Sequence, residues 1–357
     1  MAVLSARALN RATLHRQLLL DRSDRTALEV VELLVGMQHQ DSELAYVGLW
    51  NRIAGFRHDD LTTLFEHGRV VRGTLYRCTQ HILSDRDYLW IRPLLQPMLT
   101  RMRRSFFGRR TAGVDEDELA AEARRLLAGG PMTRPELGRA LQKLWPEHEG
   151  AWLARAAQVA LPVLHPYPDG TWRRRGPTPF ALAEAYLGRA FDDRGGLADL
   201  ALRYLAAFGP ASVMDMQAWS GLTRLREVFE SLRPGLVTYR GPAGAELFDL
   251  PDRPLPDPET PAPVRFLAGF DNVTLGYADR SRIIADAYRS ALVEQAGLAV
   301  DGWVRGVWRY RNDRLTVTLF EPLTAEQEAA VRAEAAELLP FLGGGELELT
   351  RGQPPVS

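Results

Sequence analysis

One cysteine, one lysine and no long apolar run set the first limits on this 357-residue chain. Cys78 cannot close an internal disulfide, which suits a reducing cytosol. Lys143 is the only lysine, so Schiff-base chemistry has little to draw on, and nearly all positive charge is arginine. No stretch approaches the roughly 18 apolar residues of a membrane span, so no membrane partner is expected. The start, Met1-Ala-Val-Leu-Ser-Ala-Arg7, lacks the charged-then-apolar order of a secretory signal, and the cytoplasm is the expected compartment. The seven histidines never take H-E-x-x-H spacing. There is no C-x-x-C, no G-x-S-x-G elbow and no Gly-rich phosphate loop after a strand, so neither a metal nor another cofactor is expected.

What is present describes a globular chain. Hydrophobic residues make up 46%, enough for sizeable cores, and the length allows two to four domains. The net charge of −1 does not advertise a nucleic-acid binder, so local clusters must decide. Arginine suits them, because its fork of donors matches a phosphate.

Three stretches share one pattern. Helices are predicted over Leu9–Leu20, Ala27–Met37 behind a Thr26/Glu29 capping box, and Ser42–Ile53. The second stretch opens on Asp115–Glu118, repeats the box at Thr133/Glu136 and supplies a helix over Trp152–Leu164. The third has Leu197–Phe208, a box at Ser212/Asp215 and Thr223–Leu232, where Arg224 and Arg226 give the look of a recognition helix. Each ends in hairpin-like material: Val70–Ile82 around Gly73, Leu164–Arg174 around Pro168-Asp-Gly170, and Leu236–Leu250 around Gly241–Gly244. Helix, helix, helix, hairpin is the winged-helix order.

Pro251–Pro263 holds six prolines and reads as a linker. Beyond it, strands are expected at Val264–Leu267, Val273–Tyr277, Gly302–Tyr310 and Leu315–Phe320, with turns at Asp301-Gly302 and Asn312-Asp313. Thr324/Gln327 caps a helix to Leu339, and Gly343–Ser357 adds a strand before fraying. The expected fold is α+β, mainly α. Winged-helix modules occupy residues 1–112, 113–190 and 191–255, and a β-rich, β-barrel-like domain occupies 256–357.

The chemistry centres on Gln38-His39-Gln40. Asp41 or Ser42 caps the next helix, so the tripeptide lies at a break between helices. In an extended segment both amides share a side and could face one cleft. The plainer reading is two solvated glutamines at a helix end. His39 with Asp41 offers a general base beside an acid, and Thr79 and His81 would share a strand face with Arg77. Basic clusters with aromatics come next: Arg101, Arg103, Arg104, Arg109 and Arg110 around Phe106 and Phe107, and Arg173, Arg174 and Arg175 beside Trp172. Such arginines could hold phosphates, or form a solvated face with the aromatics packed inward.

Several motifs run through most of the chain: Gly36-Met-Gln-His-Gln40, Arg72-Gly-Thr-Leu-Tyr-Arg-Cys-Thr-Gln-His81 with Asp87-Tyr88, Tyr204–Ala211 with Trp219-Ser-Gly221, and Gly269-Phe-Asp-Asn272 with Leu275–Arg280. Through them the chain resembles the AlkZ-like DNA glycosylases, with YcaQ-like relatives, of the HTH_42 winged-helix superfamily. The resemblance implies a monofunctional glycosylase. Its catalytic pair maps onto Gln38 and Gln40, and its substrate is double-stranded DNA carrying N7-alkylated purines, as bulky adducts or interstrand crosslinks. It also implies repair or self-resistance to DNA-alkylating natural products. His39 replaces the usual aliphatic residue between the glutamines, and Arg77-Cys-Thr-Gln-His81 departs from the common Arg-Gly-Thr-Leu-His. A monomer with no obligate protein partner is expected. The main alternative is a winged-helix DNA-binding protein or regulator without chemistry.

Overall fold

Among the described residues four helices begin with a reciprocal capping box between a Ser or Thr and an acid or amide three residues on. Thr26/Glu29, Thr133/Glu136, Ser212/Asp215 and Thr324/Gln327 each form the reciprocal box, satisfying two backbone donors at the helix start. The computed structural model describes residues 2–192, 195–293 and 295–352; the end of the expected tail, 353–357, lies outside them. The helices they open are Ala27–Leu33, Arg134–Gln142, Val213–Ser220 and Ala325–Leu342. Several stop earlier than the periodicity suggests. The first helix covers Ala6–Arg16, and the supposed recognition helix is trimmed to Arg226–Leu232 after Arg224 takes a φ of 62°.

The strands are β1 (Ala2–Val3), β2 (Met37–Gln38), β3 (Val70–Thr74), β4 (Gln80–Ser84), β5 (Met132–Thr133), β6 (Val163–His165), β7 (Pro179–Leu182), β8 (Val237–Arg240), β9 (Glu246–Asp249), β10 (Arg265–Phe266), β11 (Ala296–Val300), β12 (Trp303–Arg311), β13 (Arg314–Leu319) and β14 (Glu346–Arg351). Six of them form one sheet in the order β2-β4-β3-β6-β7-β5. The first two expected wings therefore do not stand apart. Val70–Ile82 is the β3–β4 hairpin, whereas Leu164–Arg174 is not a hairpin. Its strand β6 pairs with β3 on one side and, across a loop, with β7 on the other. Gly73 permits this close approach, since a Cβ there would sit 2.9 Å from the Tyr88 ring. The third hairpin, β8–β9, pairs Arg240 with Glu246 as the Gly241–Gly244 turn requires, and β1 lies parallel alongside it.

After the irregular proline segment, β10 to β14 form a five-stranded sheet with β10 and β14 at its ends. Among the described residues this is an open sheet, not the expected barrel. Val331, Ala335, Leu338 and Leu342 of the helix Ala325–Leu342 share a core with Leu298, Val317 and Leu319. Asp301-Gly302 and Asn312-Asp313 both take positive φ, as tight hairpin turns demand. The expected strand Val273–Tyr277 is instead a helical turn, Asn272–Leu275. Asp271 causes it: one carboxylate oxygen accepts from Val273 N, and the carboxylate grips buried Arg52 at 2.7 and 3.0 Å. The longest helix, Asp85–Phe107, was masked in the sequence by Pro93 and Pro97.

The core joining Val30, Val31, Leu34 and Met37 to Phe266, Leu298 and Val317 runs from the start of the chain into the C-terminal sheet. The glutamine segment therefore rests on packing from both ends of the sequence.

Candidate active site

Gly36, at φ +94°, ends the preceding helical segment and releases the chain into β2. Gln38 pairs directly with His81 on β4, and His39 N donates to Gln80 O at 2.8 Å, which extends the pairing one step. Strand β2 ends at Gln38, so Gln38 and His39 point to opposite sides; Gln40 lies in a bend two residues on, and its side chain turns back to the start of β4. Directly opposed residues share a face, which adds His81 to the Gln38 side.

Both carboxamides are held at their oxygens. Arg77 Nη2 donates to Gln38 Oε1 at 2.8 Å, and Gln80 N donates to Gln40 Oε1 at 3.2 Å. Each partner can only donate, so the atom facing it must be the amide oxygen. A carbonyl oxygen has two lone pairs, which leaves one on each for a water or a cation. The anchors lie three residues apart, Arg77 in the β3–β4 connection and Gln80 at the first residue of β4. Gln38 is buried and Gln40 exposed.

The opposite face is densely bonded. His39 Nε2 donates to Gly170 O at 2.7 Å, and its Nδ1 accepts from Ala45 N at 3.2 Å. That fixes the neutral Nε2–H form, and burial, then the Arg72 charge, lowers its pKa to about 3. His39 is fully buried and both its nitrogens are engaged, so it does not present a base to a cleft. Arg72 is a residue the sequence reading left without a role. Its Nε donates to His39 O at 2.9 Å, Nη2 to Gln40 O at 3.0 Å, and Nη1 to Asp169 at 2.6 Å. Gly170, at φ +82°, lets the loop approach so closely that a Cβ would meet Arg72 Cδ at 3.0 Å. The pairing of Arg72 with Asp169 spans 97 residues and has no local sequence signal.

His81 sits under Gln38. Its Nδ1 lies 3.1 Å from Thr79 O, while Thr79 Oγ1 donates to Tyr76 O at 3.1 Å. Nδ1 therefore carries the proton and Nε2 the free lone pair. Burial, then the Arg77 charge, lowers the His81 pKa to about 3. Arg77 itself turns inward: Nη1 donates to Trp219 O, and burial lowers its pKa to about 10, with the Arg280 charge as the next cause.

The basic clusters divide. Arg103 is buried against Glu116, and Arg104 shares that carboxylate. Arg101 donates to Gly221 O at 2.8 Å, and Arg110 lies over Trp152. Arg173 is tied to Glu43 at 3.2 Å and Leu342 O at 2.7 Å. Arg109, Arg174 and Arg175 are exposed, as is Phe106 beside the first of them. Among the described residues no helix is long and apolar enough to cross a membrane, and no group of three or more His, Cys, Asp or Glu could hold a metal.

A solved DNA glycosylase, AlkZ from Streptomyces sahachiroi, has the same fold: TM-score 0.81 at 22% identity, covering 99% of this chain and 100% of that one. The chain belongs to the DNA glycosylase AlkZ-like family, whose match extends over residues 31–341. In sequence the chain is 26% identical over 356 residues to the interstrand DNA cross-link repair glycosylase of the same organism, covering 91% of this chain and 93% of that protein.

Proposed function

We propose that this chain is a monofunctional DNA glycosylase that hydrolyses the N-glycosidic bond of N7-alkylated purines in double-stranded DNA, with Gln38 and Gln40 as the catalytic pair. The observation that carries it is the pair of neutral carboxamide oxygens held by donors three residues apart, Arg77 and Gln80, each anchored through one lone pair. Family membership and the cross-link repair relative support the reaction class and extend the substrate range to interstrand crosslinks.

An N7-alkylguanine is already cationic on its ring. Breaking its glycosidic bond releases a neutral base, and positive charge develops on the sugar. Such a leaving group needs no strong acid. What it needs is a water held near C1′ and dipoles aimed at the developing cation. Gln38 and Gln40 supply both through their remaining lone pairs. His81, neutral beside Gln38, is a second acceptor on the same face, and Thr79 fixes its tautomer. Lys143, exposed at the end of helix Arg134–Gln142, supplies no nucleophile to the pair, which fits hydrolysis without strand cleavage. Arg109, Arg174 and Arg175 are available for phosphate contacts. The activity serves repair of alkylated DNA or protection against alkylating natural products.

The test is single-turnover release of an N7-alkylguanine from a duplex by the wild type, Gln38→Ala and Gln40→Ala, with DNA affinity measured in parallel. Release lost in the variants while affinity survives is the expected result. No release by the wild type, or full release by both variants, overturns it, and unaltered sequence-specific binding without release would make the chain a DNA-binding protein.

A further inference from the structure

Buried arginines in this chain are paired with carboxylates: Arg16 with Asp249, Arg52 with Asp271, Arg72 with Asp169 and Arg265 with Glu334. Arg92 is an exception, and it is satisfied by Gln96 and the carbonyls of Val159 and Leu161. Arg77 differs from both kinds. Among the described residues no carboxylate pairs with it. Its acceptors are the neutral oxygens of Gln38 and Trp219. Arg77 is half-buried, and a guanidinium partly removed from water still favours an opposite charge.

A second guanidinium hangs beside Arg77, and the charge of a third bears on it. Trp219 is the penultimate residue of the helix Val213–Ser220, and Gly221 caps it at φ +79°. Arg101 donates to Gly221 O at 2.8 Å, so Arg77 and Arg101 both hang from the C-terminal end of this one helix. The Gly221 Cα region touches Arg77 directly, since a Cβ there would lie 3.3 Å from Arg77 Cα. The partial negative charge of a helix end offsets about half of one cation, not two. The third is Arg280, whose charge bears on Arg77 and whose buried Nε has no partner. None of the three is in a salt bridge among the described residues. The turn that presents Arg77 also holds two successive non-glycine residues at positive φ, Arg77 at 53° and Cys78 at 61°. Such strain persists where surroundings enforce it, and it gathers at functional sites.

We infer that Arg77, Arg101 and Arg280 form a receptor for one DNA phosphodiester flanking the lesion nucleotide, and that Arg77 couples occupation of this receptor to the aim of the Gln38 carboxamide. The inference rests on the glycosylase reading for the second half only. With the receptor empty, an uncompensated cation sits behind the Gln38 oxygen and opposes positive charge on the sugar. With a phosphate bound, that cation is neutralised and the oxygen faces the sugar with its dipole intact. Arg77 is thus a positioning residue, and chemistry is favoured only when the backbone beside the damaged base is seated.

The experiment uses a duplex with a tetrahydrofuran abasic analogue for binding and one with an N7-alkylguanine for base release. In each, single methylphosphonates replace successive phosphates around the lesion. The wild type, Arg77→Gln, Arg77→Lys and Arg101→Gln are compared; exposed Arg101 puts folding least at stake, and far-ultraviolet spectra and urea midpoints screen the rest. Each Gln variant should lower the salt slope of binding by about one, so that between 50 and 200 mM salt it loses about three- to fourfold less affinity than the wild type. At one phosphate within two nucleotides of the lesion, the methylphosphonate should weaken the wild type to the level of Arg77→Gln and leave that variant unchanged. Arg77→Lys keeps the charge, so it should keep the salt slope yet release base more slowly, because one ammonium cannot hold both Gln38 and Trp219. Additive effects of variant and methylphosphonate at every position, or unchanged slopes, overturn the receptor. An Arg77→Lys rate equal to the wild type's overturns the coupling. A wild type that binds with the expected slopes but releases no base instead removes the glycosylase reading and leaves the receptor standing.

Discussion

The two faces of residues 37–40 are built on opposite rules. On one face, Gln38 and Gln40 each have a single anchor on the oxygen and otherwise stand open. On the other, His39, Arg72, Asp169 and Gly170 close a network in which both nitrogens of His39 and three nitrogens of Arg72 are engaged. One three-residue segment thus presents neutral, half-used acceptors outward and a saturated ionic lattice inward. The lattice gives the outward amides a fixed backbone, as a preorganised site requires. The comparison predicts that damage to the inner face shows first as lost stability, and damage to the outer face as lost rate.

Acid should give the largest effect, and it acts on the sheet beneath both faces. His39 and His81 have pKa values lowered to about 3 and His165 to about 4, all mainly by burial, from an ordinary 6.5. Below pH 6.5 the unfolded chain binds protons at these three positions and the folded chain does not, so stability is full above that value and falls as the pH falls. From pH 7 to 5 the three together remove about 6 kcal/mol, comparable to the whole stability of a domain. Urea unfolding at pH 7, 6 and 5 measures this, and His165→Asn should lessen the decline by about a third. Equal stability at pH 7 and 5 would mean the inner histidines are not held neutral.

Arg72→Ala comes next. It strands Asp169 and the carbonyls of residues 39 and 40, and breaking such a buried pair costs about 3–5 kcal/mol. Arg72→Lys should recover only part, since an ammonium cannot reproduce the planar fork. The urea midpoint reports both. A midpoint within error of the wild type for Arg72→Ala would dissolve the distinction between the faces.

On the outer face, Gln40→Ala should slow base release about 10²- to 10³-fold, the size seen for removing one preorganised electrostatic group. Its urea midpoint should move by no more than about 0.5 kcal/mol, because an exposed side chain is removed. Comparable loss of stability and rate would put Gln40 in the scaffold.

The sequence revealed the local parts of this contrast. The capping box at Thr26 and the break after the helix it opens were legible, but the expected cap at Asp41 or Ser42 was not borne out: the helix Leu44–Trp50 starts from Glu43 with no side-chain cap bond. The tight turns at Asp301-Gly302 and Asn312-Asp313 were equally legible, because turn chemistry is local. What escaped was long-range. Nothing near Arg72 announces Asp169, and nothing near β3 announces that β6 will join it and merge two supposed wings. Arg101, Arg103 and Arg104 look alike in the sequence. Only the helix Asp85–Phe107 places Arg103 four residues beyond Leu99 and eight beyond Leu95, on the buried side. The helix itself was not expected from the sequence, where Pro93 and Pro97 interrupt the pattern of a helix interior.

The smallest expected effect is none, and it tests the outer face most sharply. A carboxamide does not titrate across ordinary pH, so a rate that depends on Gln38 and Gln40 has no protonation step of its own. His81, the one titratable imidazole on that face, has a pKa near 3 and stays neutral well below pH 6. Single-turnover base release should therefore vary less than about twofold between pH 6 and 8, a window in which an ordinary histidine would change charge almost completely. DNA affinity must be saturating throughout and the urea midpoint followed in parallel, because acid loosens the inner face first. A step centred near pH 6.5 with the protein still folded would transfer the catalytic role to a histidine. If His81→Asn abolished that step, the histidine would be His81, and the two amides would be left to orient the sugar.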